Sequence, residues 1–325
     1  MMTPPNQIDE SCYIDEAQLR AQLELMKGHV LDNKAGIFGP NSMFWQVNKY
    51  SSSFVGAGRA VLLQTAHPWV ANAIKQHSKT MSDPIGRFRR TFTNVFAMMF
   101  GSVDQVIQSS IKVHNIHASM FGKLEEQSGI FGNESYYQAN EVHSMIWVHA
   151  TLWEGAVKMY ELVVGPLTKE EKEQYYKESK MFAYCFGIPE SALPPTWDSF
   201  LEYNEWMWNS NHLYVGEPAK EIAHFLFRLH PLLTPVMNYY KVVTSMMLPE
   251  RVREMYDFPP ATEENMRTYE RFIKNAKTVF PYLPRRLQYL SPYVEAHRRI
   301  KGKSSPDLLT GAMNKLVLGQ AVLVS

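Results

Sequence analysis

The sequence predicts an all-α fold, a single large helical domain. Helix caps and proline starts recur along the whole chain. No Asn-Gly or Asp-Gly dipeptide of the kind that closes a two-residue β-hairpin appears. No linker in the 325 residues is long or low-complexity enough to divide domains.

An amphipathic run over 15–28 gives the first helix, and a turn-rich link with Gly36, Gly39 and Pro40 follows. Residues 56–66 and 69–78 read as two short helices separated at His67-Pro68. Asp83 caps a helix with Pro84 at its first position, ending near Gly101. Ser102 caps the next helix, expected to run to about Phe121. Residues 123–139 form a looser connection with Gly129 and Gly132. Asn140 is the expected cap of the longest helix, 141–164, closed by Gly165-Pro166. Thr168 and Glu171 form a capping box that opens a helix to Gly187. Helices over 199–209, 218–229 and 232–247 follow, then helices interrupted by Pro249, Pro259, Pro281, Pro284 and Pro292. The expected organisation is a flexible segment 1–14, a helical domain 15–300 and a loosely held C-terminal tail 301–325.

Composition narrows the function. Lys and Arg total 33 against 32 Asp and Glu, which gives no electrostatic footprint for nucleic acid. Two cysteines, Cys12 and Cys185, make neither a disulfide framework nor a zinc knuckle. The start of the chain is polar and acidic, without the basic start and apolar core of a signal peptide, so a soluble cytoplasmic protein is expected. The apolar stretch 242–248 is far shorter than the roughly 20 residues that span a bilayer. Aromatic residues at 13% and 18 methionines suit either an apolar ligand pocket or a methionine-rich core.

Helical spacing puts Val103, Val106, Ser110, Val113, His117 and Met120 on one stripe. His117 is therefore expected to point into the core, with His114 at the flank. A core histidine bonded to a carbonyl gives the same pattern. A histidine pair three residues apart holds zinc or non-haem iron only with a further carboxylate or imidazole. Haem needs one protein imidazole, which suits a single histidine in an apolar wall. Arg87, Arg90, Thr91 and Asn94 share one face of the preceding helix. Buried arginines there need carboxylate partners such as haem propionates, a substrate acid, Glu141 or Glu154; a solvated basic stripe is the alternative.

His149 lies on the stripe Val142, Ile146, Trp153, Ala156 and Tyr160, where it lines a pocket, bonds a propionate or packs. His143 is on another face, and His67 borders the same apolar region. The pair of Glu-x-x-His helices that builds a ferritin-like di-iron site is absent, as are His-Glu-x-x-His, Gly-x-Ser-x-Gly, Walker and Gly-x-Gly-x-x-Gly patterns, which removes several enzyme classes.

A resemblance gathers these pieces. From Gly36 to Arg299 the chain resembles the family of the rubber oxygenases (latex-clearing proteins) and the fungal oxygenase of mycophenolic acid biosynthesis. It is carried by Phe38-Gly39-Pro40-Asn41-Ser42, Gly58-Arg59-Ala60, His67-Pro68, Asp83-Pro84-Ile85-Gly86-Arg87, His114-Asn115-Ile116-His117, Trp147-Val148-His149-Ala150-Thr151 and Leu248-Pro249-Glu250-Arg251, in that order. The resemblance implies a globin-like helical core around one haem b. It implies His117 as proximal iron ligand, with Arg87 and Thr91 as the matching arginine and threonine. A lysine of some members, able to cap the distal iron face, is Arg90 here. A guanidinium stays protonated and is a poor iron ligand, so Arg90 is read as a donor to dioxygen or a propionate. The family's catalytic glutamate has no clear match, and His67 lies in its neighbourhood.

These readings lead to a haem b-dependent oxygenase acting with dioxygen on an apolar, unsaturated small molecule or isoprenoid. Arg90, Thr91 and His67 are the catalytic candidates; His117, Arg87, His114 and His149 are the cofactor-binding candidates, with His117 on the iron. A non-catalytic haem-binding or sensing protein, and a cofactor-free helical scaffold, are the alternatives.

Overall fold

The computed structural model describes residues 13–30, 32–77, 83–133, 135–228, 231–303 and 305–323. Its order begins with α1 (Glu16–Gly28), α2 (Met43–Asn48), α3 (Ala57–Thr65), α4 (Pro68–His77), α5 (Pro84–Phe100) and α6 (Val103–Ala118). A small hairpin follows, β1 (Phe121–Lys123) and β2 (Tyr136–Gln138), then α7 (Val142–Val163), α8 (Lys169–Tyr184), α9 (Trp197–Asn209) and α10 (Glu217–Leu226). The chain continues through α11 (Thr234–Met247), α12 (Glu250–Met255), α13 (Glu263–Val279), α14 (Arg285–Gln288), α15 (Ser291–Ile300) and α16 (Leu308–Leu318). The fold is all-α apart from that two-stranded antiparallel sheet, in which Gly122 pairs with Tyr137. Most of the expected segment 1–14, Cys12, Ser78 and His230 lie outside the described residues.

Local capping places the helices that matter here. Asp83 accepts from the Gly86 amide at 2.9 Å and Pro84 occupies the first turn of α5. Ser102 and Gln105 form a reciprocal capping box at α6, as Thr168 and Glu171 do at α8. Two expected boundaries differ. α6 stops at Ala118, because Phe121 opens β1. The cap of α7 is Glu141, whose carboxylate takes the His143 and Ser144 amides at 2.8 and 2.7 Å. Two anionic acceptors at a helix N-terminus outcompete the neutral Asn140 amide. Asn140 instead donates to the His114 carbonyl at 3.2 Å.

One main hydrophobic cluster contains residues from Ile14 to Leu323. The segment expected to be a loose tail is therefore part of the core. Asp307 caps α16 and pairs with Arg286 at 2.9 Å, while the buried Glu295 carboxylate takes the Asn314 amide at 2.6 Å and the Leu323 backbone at 3.1 Å. A smaller cluster of Trp69, Ala73, Leu124, Phe131 and Tyr137 sits between α4 and the hairpin. α5 and α6 pack along each other as a helical hairpin turning at Gly101 and Ser102. Arg87 and His117 both lie roughly 20 Å from that turn, at the hairpin's open end.

Candidate functional site

α6, α7 and α8 bring together a dry group of imidazoles and aromatic rings. His149 on α7 is buried, and its Nδ1 accepts the Trp153 indole N–H at 3.0 Å. The indole only donates, so Nδ1 carries the lone pair and the neutral ring holds its proton on Nε2. Burial drives the imidazole pKa down to about 3, which keeps that neutral form across the physiological range. Nε2 is inaccessible to water and has no hydrogen-bond partner. His149 is thus a buried N–H donor aimed at no protein acceptor. With one ring nitrogen engaged and the other protonated, it is a donor and not a metal ligand.

His117 lies across two phenylalanines. Its ring centroid is 6.2 Å from Phe186, which is 5.4 Å from Phe182, which is 6.4 Å from His149. Burial first, and then His114, bring the His117 pKa down to about 4, with the Asn140 side chain acting in the opposite sense. His117 Nδ1 is water-inaccessible and unpartnered, although the residue as a whole is partly exposed. The expected order of burial is reversed: His114 is the buried residue and His117 the partly exposed one. His117 sits in the last turn of α6, where Ala118 and Ser119 are already exposed and the covering helices run out. His114 Nδ1 also lacks a partner, and burial lowers its pKa against the raising influence of Glu16 and Asp15.

The arginine stripe divides. Arg87 is partly buried; burial, and then Arg90, disfavour its charged form. Arg90 is exposed and pairs with Asp83 at 3.0 Å, and Thr91 is exposed. The stripe is real as a helical face, but its first turns lie at the surface and it becomes buried only at Asn94. Among the described residues no hydrogen bond joins Arg90 or Thr91 to the imidazoles.

His67 belongs to a second centre. It is buried beside Phe131 and Trp69, with ring centroids at 5.3 and 6.2 Å. Its Nδ1 is unpartnered, and burial, with His212 and His143 nearby, takes its pKa to about 3. The structure therefore groups His114, His117 and His149 with Phe182 and Phe186, and groups His67 with His143 and His212.

Several participants escaped the sequence reading. Phe182 and Phe186 had a signal, aromatic side chains four residues apart, the first in the last turn of α8 and the second just past its end. Cys185 packs behind them, its thiol pushed up to about 12 by burial. The Arg59–Glu154 ion pair, buried on both sides, joins positions far apart in sequence and has no local signal. Among the described residues no group of three or more His, Cys, Asp or Glu is placed to hold a metal ion. An open concavity of about 660 Å³ runs along the outer side of α6, lined by Ile111, Asn115, Ile116 and neighbours, and His117 does not line it.

Residues 45–278 match the family described as ER-bound oxygenase mpaB/B'/Rubber oxygenase, catalytic domain. The chain belongs to this family. The matched stretch contains every histidine and arginine of both centres. An uncharacterised protein of Mycobacterium bovis and one of Mycobacterium tuberculosis are each 26% identical over 123 residues, 37% of this chain and 48% of theirs. The chain thus spans about half the length of these curated relatives. No solved structure matches it.

The first centre fits haem chemically. It offers neutral imidazoles with unpartnered nitrogens, a partly buried arginine at the same end of the α5–α6 hairpin, and aromatic rings between. A neutral imidazole is the form that ligates iron, and one would suffice where a porphyrin supplies the other nitrogen ligands.

Proposed function

We propose that this protein is a haem b-dependent oxygenase acting on an apolar, unsaturated small molecule or isoprenoid. The observation that carries the reading is the pair of dry, unpartnered ring nitrogens on His117 and His149, separated by Phe182 and Phe186, in a chain of an oxygenase family. Buried polar atoms without partners are rare in folded proteins and mark places where a ligand completes the hydrogen bonding.

When bound, haem supplies the activation of dioxygen. His117 would hold the iron, kept neutral by its burial. Arg87 would pair with a propionate, for which its planar guanidinium is suited. His149 would donate through Nε2–H to an acceptor oxygen, its ring fixed by the Trp153 indole. Phe182 and Phe186 would exclude water and press an apolar substrate against the site. Arg90 and Thr91 would act at the rim, where they are exposed. His67 would act only from its neighbouring centre.

The test is haem extraction and an absorption spectrum on the wild type and His117→Ala. Loss of haem, or altered axial ligation, is expected in the variant; an unchanged spectrum removes His117 from the iron. Oxygen uptake with an unsaturated isoprenoid then separates an oxygenase from a haem protein without turnover.

A further inference from the structure

A second feature is independent of the haem reading. α11 and α13 pack antiparallel: Tyr239 meets Phe272 at 6.0 Å, while Val243 and Met247 share a cluster with Tyr269 and Phe272. That register brings the start of α11 beside the end of α13. Leu232, Leu233 and Val236 are 83, 45 and 62% exposed there, and Val279 and Tyr282 are 56 and 87% exposed. Leu287 follows on α14, 52% exposed. Scattered exposed leucines need no explanation, but a clustered apolar tip does.

The charge at the tip itself is basic, and the exposed Glu270 lies behind it on α13. Residues 231–249 and 271–294 hold Lys241, Arg271, Lys274, Lys277, Arg285 and Arg286 and no Asp or Glu. Lys241 lies over the Phe258 ring and Arg286 is paired with Asp307, which leaves Arg271, Lys274, Lys277 and Arg285 exposed around the apolar tip. Just behind it the Tyr50 ring meets Phe280 edge-on and Tyr289 at a tilt, with Lys49 over Tyr50 and Tyr289. Aliphatic side chains at a tip, tyrosines behind them and a basic fringe are what an interfacial membrane contact requires.

We infer that the tip formed by 231–239, the end of α13 and α14 docks on the surface of an anionic phospholipid bilayer. The apolar side chains enter the headgroup boundary while Lys274, Lys277 and Arg285 meet lipid phosphates and carboxylates. Among the described residues no helix is long and apolar enough to cross a membrane, so the contact is peripheral. Docking would hold the enzyme where apolar molecules collect.

The test is flotation of the full chain with phosphatidylcholine vesicles and with vesicles containing about 30% phosphatidylserine. The wild type is expected to bind the serine-containing vesicles at least about tenfold more tightly, less so at high salt. The pair Leu232→Ser and Tyr282→Ser, and separately the pair Lys274→Glu and Lys277→Glu, are expected to lose that binding while melting at the wild-type temperature, because all four side chains are exposed. No preference for anionic vesicles, or binding unchanged in both double variants, overturns the inference. So does a dimer that the Leu232/Tyr282 variant dissociates without any vesicle binding, since the tip is then covered by a second copy. Haem content and ligation of His117→Ala report on the other site alone.

Discussion

Glu154 and His149 lie on the same helix, little more than one turn apart, and both are buried, yet their surroundings are opposite. Glu154 is paired with Arg59, which also donates to the Met247 carbonyl at 2.9 Å. The pair completes itself within the protein and locks α3, α7 and the end of α11 together. His149 has one nitrogen satisfied by Trp153 and the other bare. The ion pair completes itself inside the protein, whereas the His149 Nε2–H stays open to an acceptor from outside it.

The strongest way to break this comparison is Arg59→Met. It leaves Glu154 buried without a partner and is expected to cost about 3–5 kcal/mol in urea unfolding, with much of that recovered by adding Glu154→Leu. A loss below about 1 kcal/mol would show that the pair is not holding the helices.

Acid should act on the imidazoles next. His149 and His67 have folded pKa values near 3, well below the unfolded value of about 6.5. Between these values the unfolded chain binds more protons, so stability is full above about pH 6.5 and falls as pH drops toward 3, by the order of a few kcal/mol. Denaturation curves across that window should be flatter in His149→Leu. An identical slope would mean that His149 is not held neutral in the folded protein.

At neutral pH, His149→Leu strands the Trp153 indole N–H and is expected to cost about 1–3 kcal/mol. Trp153→Phe in the same background should remove the hydrogen-bond part of that cost. Non-additive losses in this double-mutant cycle sharpen the assignment of the Nε2–H tautomer; strictly additive ones contradict it.

His117→Ala should change stability by less, about 1 kcal/mol, because the residue is partly exposed at the end of α6, while abolishing haem retention. The smallest effect is expected from Arg90→Gln, at most about 1 kcal/mol in thermal unfolding, since its pair with Asp83 is exposed on both sides. A large loss of haem in Arg90→Gln would return this arginine to the centre of the site.

The helices were legible because their signals are short-range. Asp83 with Pro84, Ser102 with Gln105 and Thr168 with Glu171 act within three residues, and each opens a helix where it was expected. Asn140 misled because Glu141 beside it is the stronger acceptor. The β1–β2 pair carried no signal, being three residues on each side of a long connection. At the site, spacing put His117 on an inward stripe and His149 on another, but a helical wheel does not know where a helix ends, so the relative burial of His114 and His117 came out reversed.

By itself the sequence determined the helical class, most helix starts, the family and the identity of the imidazoles and arginines at issue, because these depend on contacts within a turn or on the order of motifs. Only the tertiary structure decided which of those residues are dry and which are solvated. It separated His67 from His149, turned Arg90 outward to Asp83, drew the C-terminal segment into the core and paired Arg59 with Glu154. Burial and partnership arise when distant segments remove water from one another, and no local spacing encodes that.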